Sequence, residues 1–183
     1  MRKGIILYQS KYGATKQYAL WLQEKTGFDC QEIRHTSFHQ IKDYEILILG
    51  GGIYASGIAG FNFLKKYIAH LPQQNILVFA VGASPYDPTA FDQLYQRHFK
   101  DRLEGIPCFY CRGAWHEDRM TWVDRHLCQL LKRMVAKKDP ADYEPWEKAL
   151  MEAMGRSCDW TDPAYLQPIL NYLEEHSHEK ISL

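Results

Sequence analysis

The stretch "ILYQSKYGATKQYA", Ile6 to Ala19, decides the fold: an apolar run breaks at Ser10-Lys11-Tyr12-Gly13-Ala14-Thr15 and a helical pattern follows. A strand that turns straight into a helix leaves unpaired amides and the positive end of a helix dipole at the turn, and both favour an anion. Ser10, Tyr12 and Thr15 add hydroxyls, and Gly13 lets backbone N–H groups face outward. The G-x-x-x-x-G-K-[ST] pattern of a nucleotide-hydrolysing loop is absent. The turn therefore reads either as a phosphate anchor without hydrolysis or as a helix start that Ser10 and Thr15 merely cap.

The same alternation runs on. "KGIILYQ", "FDCQEIR", "YEILILGGG", "NILVFAVGA" and "IPCFYCRGA" read as strands, with helices at about 14–25, 59–69 and 88–103. Continuous apolar runs such as Ile46-Leu47-Ile48-Leu49 suit strands buried on both faces of a parallel sheet. Five such strands with right-handed crossovers predict a doubly wound, three-layer α/β sandwich. "HTSFHQIKDY" between strands two and three is too short for a full crossover helix, so an irregular or single-turn connection is expected there. His35 and His39 within it read as solvated.

The 183 residues suit one domain, 1–183, and 22 basic against 22 acidic side chains leave no global field to attract nucleic acid. No segment has the layout of a secretory signal and no apolar run approaches the ~20 residues of a membrane span, so a cytoplasmic protein is expected. The five cysteines, an odd and scattered set, predict reduced thiols. Cys108 and Cys111 stand three apart in a strand, so their sulfurs diverge to opposite faces and neither a redox pair nor a metal site is expected.

About 70 residues follow the fifth strand, more than one closing helix needs. They read as a helical insertion at 115–158 and a closing helix at 162–178. Met120, Val123, Leu127, Leu130, Leu131 and Met134 fall on one helical face, with Arg125, Gln129 and Arg133, and Trp122 beside them, on the other. A short helix is expected from about Trp146 to Met154. Thr161 or Asp162 caps the last helix, Pro163 opens it, and Tyr165, Ile169 and Leu173 form its stripe.

Ligands of open parallel sheets bind beyond the carboxyl ends of the strands. Three loops lie there: Ser10 to Thr15, Gly50 to Gly57 and Gly82 to Asp87. The second formally holds the dinucleotide pattern G-x-G-x-x-A at Gly50 to Ala55, but it follows the third strand and no acid stands about 20 residues on. A nicotinamide-binding reading on that pattern is the remote alternative. Glycines that let the backbone approach a flat ligand, with Tyr54 packing on it, are the preferred reading; a plain glycine-rich turn is the other. Tyr86 in the third loop is a second ring partner.

The set "ILYQSKYGATKQYA", "ILGGGIYASGI" and "FAVGASPYD", in this order, resembles the flavodoxin family over roughly the first 110 residues. The resemblance implies a five-stranded parallel sheet in the order 2-1-3-4-5 and flavin mononucleotide (FMN) as cofactor. It places Ser10, Tyr12, Gly13, Ala14 and Thr15 around the phosphate, Gly52, Ile53, Tyr54, Ala55, Ser56 and Gly57 beside the isoalloxazine, and Ala83, Ser84, Tyr86 and Asp87 on its other side. Tyr12 stands where many members carry threonine, which leaves its backbone N–H to reach the phosphate. The chemistry is then the flavin's own, with no separate catalytic side chain.

"RGAWHEDRMTWVDRHLCQLLKRM" further resembles the menaquinone-dependent protoporphyrinogen oxidase branch, matching it at Gly113-Ala114, Trp122, Asp124, Arg125 and Lys132. His116-Glu117-Asp118 departs from that branch's more basic, aromatic stretch. The resemblance implies two-electron oxidation of a bulky reduced substrate, protoporphyrinogen, with a quinone acceptor in heme biosynthesis. Trp122, Arg125, Lys132 and Arg133 would then meet substrate, partner or the inner membrane surface. The alternative is an electron carrier that serves redox proteins and has no small-molecule substrate, although such carriers are usually strongly acidic and this chain is neutral. Oligomeric state is left open.

Overall fold

The computed structural model describes residues 3–54, 56–71 and 75–176. The first apolar run forms β1 (Gly4–Gln9), whose side chains alternate between two cores: Ile5 and Leu7 enter one, Ile6 the other. The chain turns into α1 (Ala14–Thr26) through Gly13, whose φ of 103° is strained for any residue with a side chain. α1 ends at Gly27, also left-handed, with its N–H on the Gln23 carbonyl.

β2 (Asp29–Glu32) is joined to β3 (Ile46–Tyr54) by a 3-10 turn and one α turn, α2 (Phe38–Ile41), which a Ser37–Gln40 capping box closes. This is the short connection expected, and His35 and His39 are both exposed on it. β4 (Gly57–Ile58) folds back antiparallel on β3, a small hairpin the sequence reading lacked. α3 (Phe61–Tyr67), β5 (Asn75–Gly82), α4 (Pro88–His98) and β6 (Cys108–Arg112) complete the body. The parallel strands run in the order β2-β1-β3-β5-β6, which is the expected order once the short β4 is numbered. α4 stops five residues before the expected 103: after it Asp101 takes φ 55° and opens a separate 3-10 turn, Asp101–Leu103.

Helices cover both faces. On one, Phe61, Leu64 and Leu94 pack on Leu47, Leu49, Val78 and Ala80. On the other, Tyr18, Ala19 and Leu22 of α1 meet Ile48, Leu77 and Phe79, together with Leu166 and Ile169 from the C-terminal segment. There Asp162 caps a 3-10 turn, Pro163–Leu166, before α7 (Gln167–Glu175), and the expected Tyr165, Ile169 and Leu173 all face this core. The expected end of this helix at 177–178 lies outside the described residues. Tyr18, fully buried, ties the segment down: its hydroxyl donates to Arg112 O at 2.5 Å and accepts from Asp162 N at 3.1 Å. Cys108 packs with the first core and Cys111 with the second, as strand alternation requires, and burial pushes the Cys111 thiol up to about 12.

The insertion leaves through β7 (Ala114–His116) and returns through β8 (Ser157–Asp159), paired antiparallel as a second two-stranded sheet. Glu117 and Asp118 fasten its base: Glu117 Oε2 accepts Gly155 N at 2.6 Å and Asp118 Oδ1 accepts Ser157 Oγ at 2.8 Å. Between the two strands lie α5 (Trp122–Val135) and α6 (Pro145–Ala153). α5 turns its apolar stripe outward. Val123, Leu127, Leu130 and Met134 are exposed, as is Trp122 at 80%, whereas Asp124, Arg125, Cys128, Leu131, Lys132 and Val135 are the partly or fully buried positions. Among the described residues no helix is long and apolar enough to cross a membrane.

Candidate functional site

The three loops meet at the carboxyl end of the sheet, where strand order reverses around β1 and β3. The first, residues 10–13, is shaped from within: Gly13 N donates to Ser10 Oγ at 3.1 Å, and nothing lies within 4 Å of where a Gly13 Cβ would stand. Thr15 sits in the first turn of α1 at 2% exposure, and among the described residues its hydroxyl has no partner. No side chain caps α1, so its first amides are left for a ligand or water. The reading of Ser10 and Thr15 as mere caps loses its support, since Ser10 serves the loop's own Gly13 amide.

The second loop reaches the first. Tyr54 folds back over Gly52, where any Cβ would stand 2.7 Å from its hydroxyl, and that hydroxyl accepts Lys11 N at 3.3 Å. Its ring meets Tyr12 edge-on at 6.2 Å. Burial raises the Tyr54 hydroxyl, which stays protonated through the neutral range. Ser56, at φ 62°, makes the hairpin turn to Gly57; Ala55, expected beside it, lies outside the described residues. Gly50 and Gly51 lie inside β3 and open no helix: Gly50 underlies the Phe79 ring and Gly51 the Ala59 backbone. Their role is close packing, so the dinucleotide pattern finds no structural counterpart.

In the third loop Asp87 caps α4 by accepting Ala90 N at 2.7 Å, and so is committed to structure. The Ser84 carbonyl accepts the Tyr110 hydroxyl, and Tyr86, 53% exposed, packs on Tyr110 and Phe91 at 5.6 and 5.7 Å. Gly82 lies beside the second loop, its Cβ position 3.3 Å from Ile53 Cδ1. Arg112, overlooked by sequence reading, brings a cation here: Nε donates to Ala83 O at 3.4 Å and the guanidinium lies 4.3 Å from the Trp160 ring centre. Its place at the end of the fifth parallel strand was the available signal.

Of the four insertion residues singled out, none stands among these loops by a direct contact. Arg125 spends its guanidinium on the carbonyls of Glu117, Asp118 and Met120, at 2.8, 3.2 and 3.5 Å from Nη2, and so pins the start of α5. Lys132 and Arg133 line a separate cleft of about 420 Å³ with Glu117, Gln129 and Met154, and Trp122 points to solvent. The insertion residue that does reach the loops is Asp124, whose Oδ2 takes both the Lys11 ammonium and the Tyr12 hydroxyl. The bond from Lys11, then that from Tyr12, hold the Asp124 carboxyl below its ordinary value, and Lys11 is raised in turn. A depressed carboxyl keeps such a contact above its own pKa, so this one persists at neutral pH and is lost only as pH falls through that lowered value. Among the described residues no three His, Cys, Asp or Glu side chains are arranged to hold a metal ion.

Sheet order, an uncapped start to α1 and two tyrosine-bearing loops at one end of the sheet together define a doubly wound α/β protein. The family model "Flavodoxin domain" matches residues 5–143, more than half of the chain, and the chain belongs to that family. No curated protein matches it in sequence. Among solved structures it is similar to a flavoprotein in complex with FMN from Lactobacillus acidophilus NCFM, with 15% identity, a TM-score of 0.44 and coverage of 61% of this chain and 93% of that one. A Trp repressor binding protein from Bacillus subtilis gives 14%, 0.46, 61% and 85%, and a WrbA-like flavodoxin from Agrobacterium tumefaciens 16%, 0.44, 68% and 88%.

Proposed function

We propose that the chain binds FMN and works as a two-electron oxidoreductase of the flavodoxin type. The observation that carries this is the uncapped start of α1 at Gly13, with Thr15 unpartnered beside it and the exposed rings of Tyr54 and Tyr86 beyond. That set fits the group: amides and hydroxyls for a phosphate, backbone and rings for a flat heterocycle. Bound there, FMN would supply the electron transfer. The residues of this chain would hold the phosphate at 10–15, keep the ring between residues 52–57 and 83–87, and place Arg112 where negative charge on the reduced ring is favoured.

The finer reading is oxidation of a bulky reduced substrate such as protoporphyrinogen with a quinone as acceptor. In each round two electrons and two protons would leave the substrate, and the same number would convert the quinone to its quinol. The outward stripe of α5 supports a lipid surface as the place where such an acceptor is met. Residues 119–138 carry six cationic side chains against one carboxylate in a chain of zero net charge; Arg125 is spent on carbonyls and Lys138 on Glu147, which leaves Arg119, Lys132, Arg133 and Lys137, and the stripe begins with an exposed tryptophan. A second copy would set one cationic face against another, which disfavours self-association through α5. The Leu127→Asp, Leu130→Asp variant is accordingly expected to lose at least about tenfold in binding to vesicles rich in anionic lipid. Binding that survives in the variant, or that is equal for neutral vesicles, would count against this surface.

The carrier reading, in which a redox protein is the partner, is supported by the same family match. Stepwise reduction separates the two. A stable half-reduced spectral species supports the carrier; direct two-electron reduction, with turnover of protoporphyrinogen and a menaquinone analogue, supports the enzyme.

A further inference from the structure

We propose that Asp124 is an affinity-setting residue that competes with a phosphate-bearing ligand for the side chains of the 10–15 loop. The inference rests on reading that loop as the phosphate anchor. Lys11 is the loop's own cation and Tyr12 its outermost hydroxyl, and both end on the same oxygen, Oδ2 of a residue 113 positions away from Lys11.

The carboxylate is placed there by several independent contacts. Thr121 caps α5 by accepting Asp124 N at 3.3 Å, and the first turn of a helix favours a carboxylate through the exposed amides around it. The neighbouring Arg125, clasped by three carbonyls, fixes the approach of the helix to the body. Asp124 thus holds a negative charge against the loop whichever ligand is present.

Two consequences oppose a phosphate dianion. Lys11 is neutralised, and a like charge stands beside the place where the phosphate would lie. The loop is left to bind through its amides, Ser10 and Thr15, with its only cation, Lys11, and the Tyr12 hydroxyl engaged elsewhere. Because both the side chains and the carboxylate are partly exposed, the effect is that of a screened surface pair, modest in size and sensitive to salt.

Asp124→Asn keeps the shape and the Thr121 cap but removes the charge. Titration of the full-length protein with FMN and with riboflavin, which lacks the phosphate, reads the difference by flavin fluorescence. FMN is expected to bind about three- to tenfold more tightly to the variant at low salt, with riboflavin unchanged and the gain reduced, though not abolished, by adding Lys11→Ala. FMN binding that is unchanged or weaker, or an equal shift for both flavins, would overturn the competition. A wild-type protein that quenches neither flavin would instead overturn the FMN reading itself, and this inference with it. Helical circular dichroism of the variant distinguishes a charge effect from loss of α5: a variant that tightens for FMN only because α5 has unfolded also overturns the proposal.

Discussion

The Gly13→Val, Thr15→Ala double variant is expected to lose at least about 100-fold in FMN affinity, equivalent to two charge-assisted hydrogen bonds of about 1.5 kcal/mol each, while its sheet stays folded. The reasoning is local. Gly13 holds φ 103°, which valine resists, yet its Cβ would meet nothing within 4 Å, so the penalty is conformational and falls on the loop. Relaxing that φ turns away the amides at the start of α1 and breaks the Gly13 N to Ser10 Oγ bond. Removing the Thr15 hydroxyl takes away a side-chain donor in the first turn of α1. Equilibrium unfolding in urea alongside flavin quenching checks both halves. Global unfolding of the variant would show that the loop is chiefly structural.

The second large effect lies in the sheet. Gly50→Val should cost about 3 kcal/mol or more, lowering Tm by roughly 6–12 °C for a chain of this size. Gly50 pairs in register with Phe79 on the neighbouring strand, and a Cβ at Gly50 would stand 2.2 Å from the Phe79 ring. Phe79 is fully buried, so neither partner has space to yield. Combining Gly50→Val with Phe79→Leu should recover part of the loss, because a smaller side chain vacates the contested volume. Full additivity of the two losses would refute the steric account. The same clash explains why the G-x-G pattern here serves strand packing.

The first 112 residues were legible because their signals are local. An apolar run, a glycine at the strand-to-helix turn and hydroxyls behind it are all visible within six residues of Ser10. Strand order followed from the resemblance, and crossover handedness gave the doubly wound sandwich. The cysteine pair was resolved by period alone, since residues three apart in β6 must diverge.

What stayed hidden depends on distance or on direction. β8 is three residues long and pairs with β7 some forty positions earlier, so no local pattern announces it. Helical periodicity grouped Val123, Leu127, Leu130 and Met134 correctly on one face of α5, but periodicity does not say whether a face meets a core or water. Here it meets water, because the polar face is claimed by Lys11, Tyr12 and the carbonyls that hold Arg125. For the same reason Asp124, matched in sequence only as part of a motif, was not recognised as a partner of the first loop.

Residues 10–15 are proposed to anchor the phosphate of FMN. Titrating the purified, flavin-free protein with FMN and with riboflavin in parallel tests it most directly. Saturable quenching of FMN fluorescence at one flavin per chain is expected, with riboflavin bound at least about tenfold more weakly for want of the phosphate contacts. Absence of FMN quenching, or equal affinity for the two flavins, would contradict it.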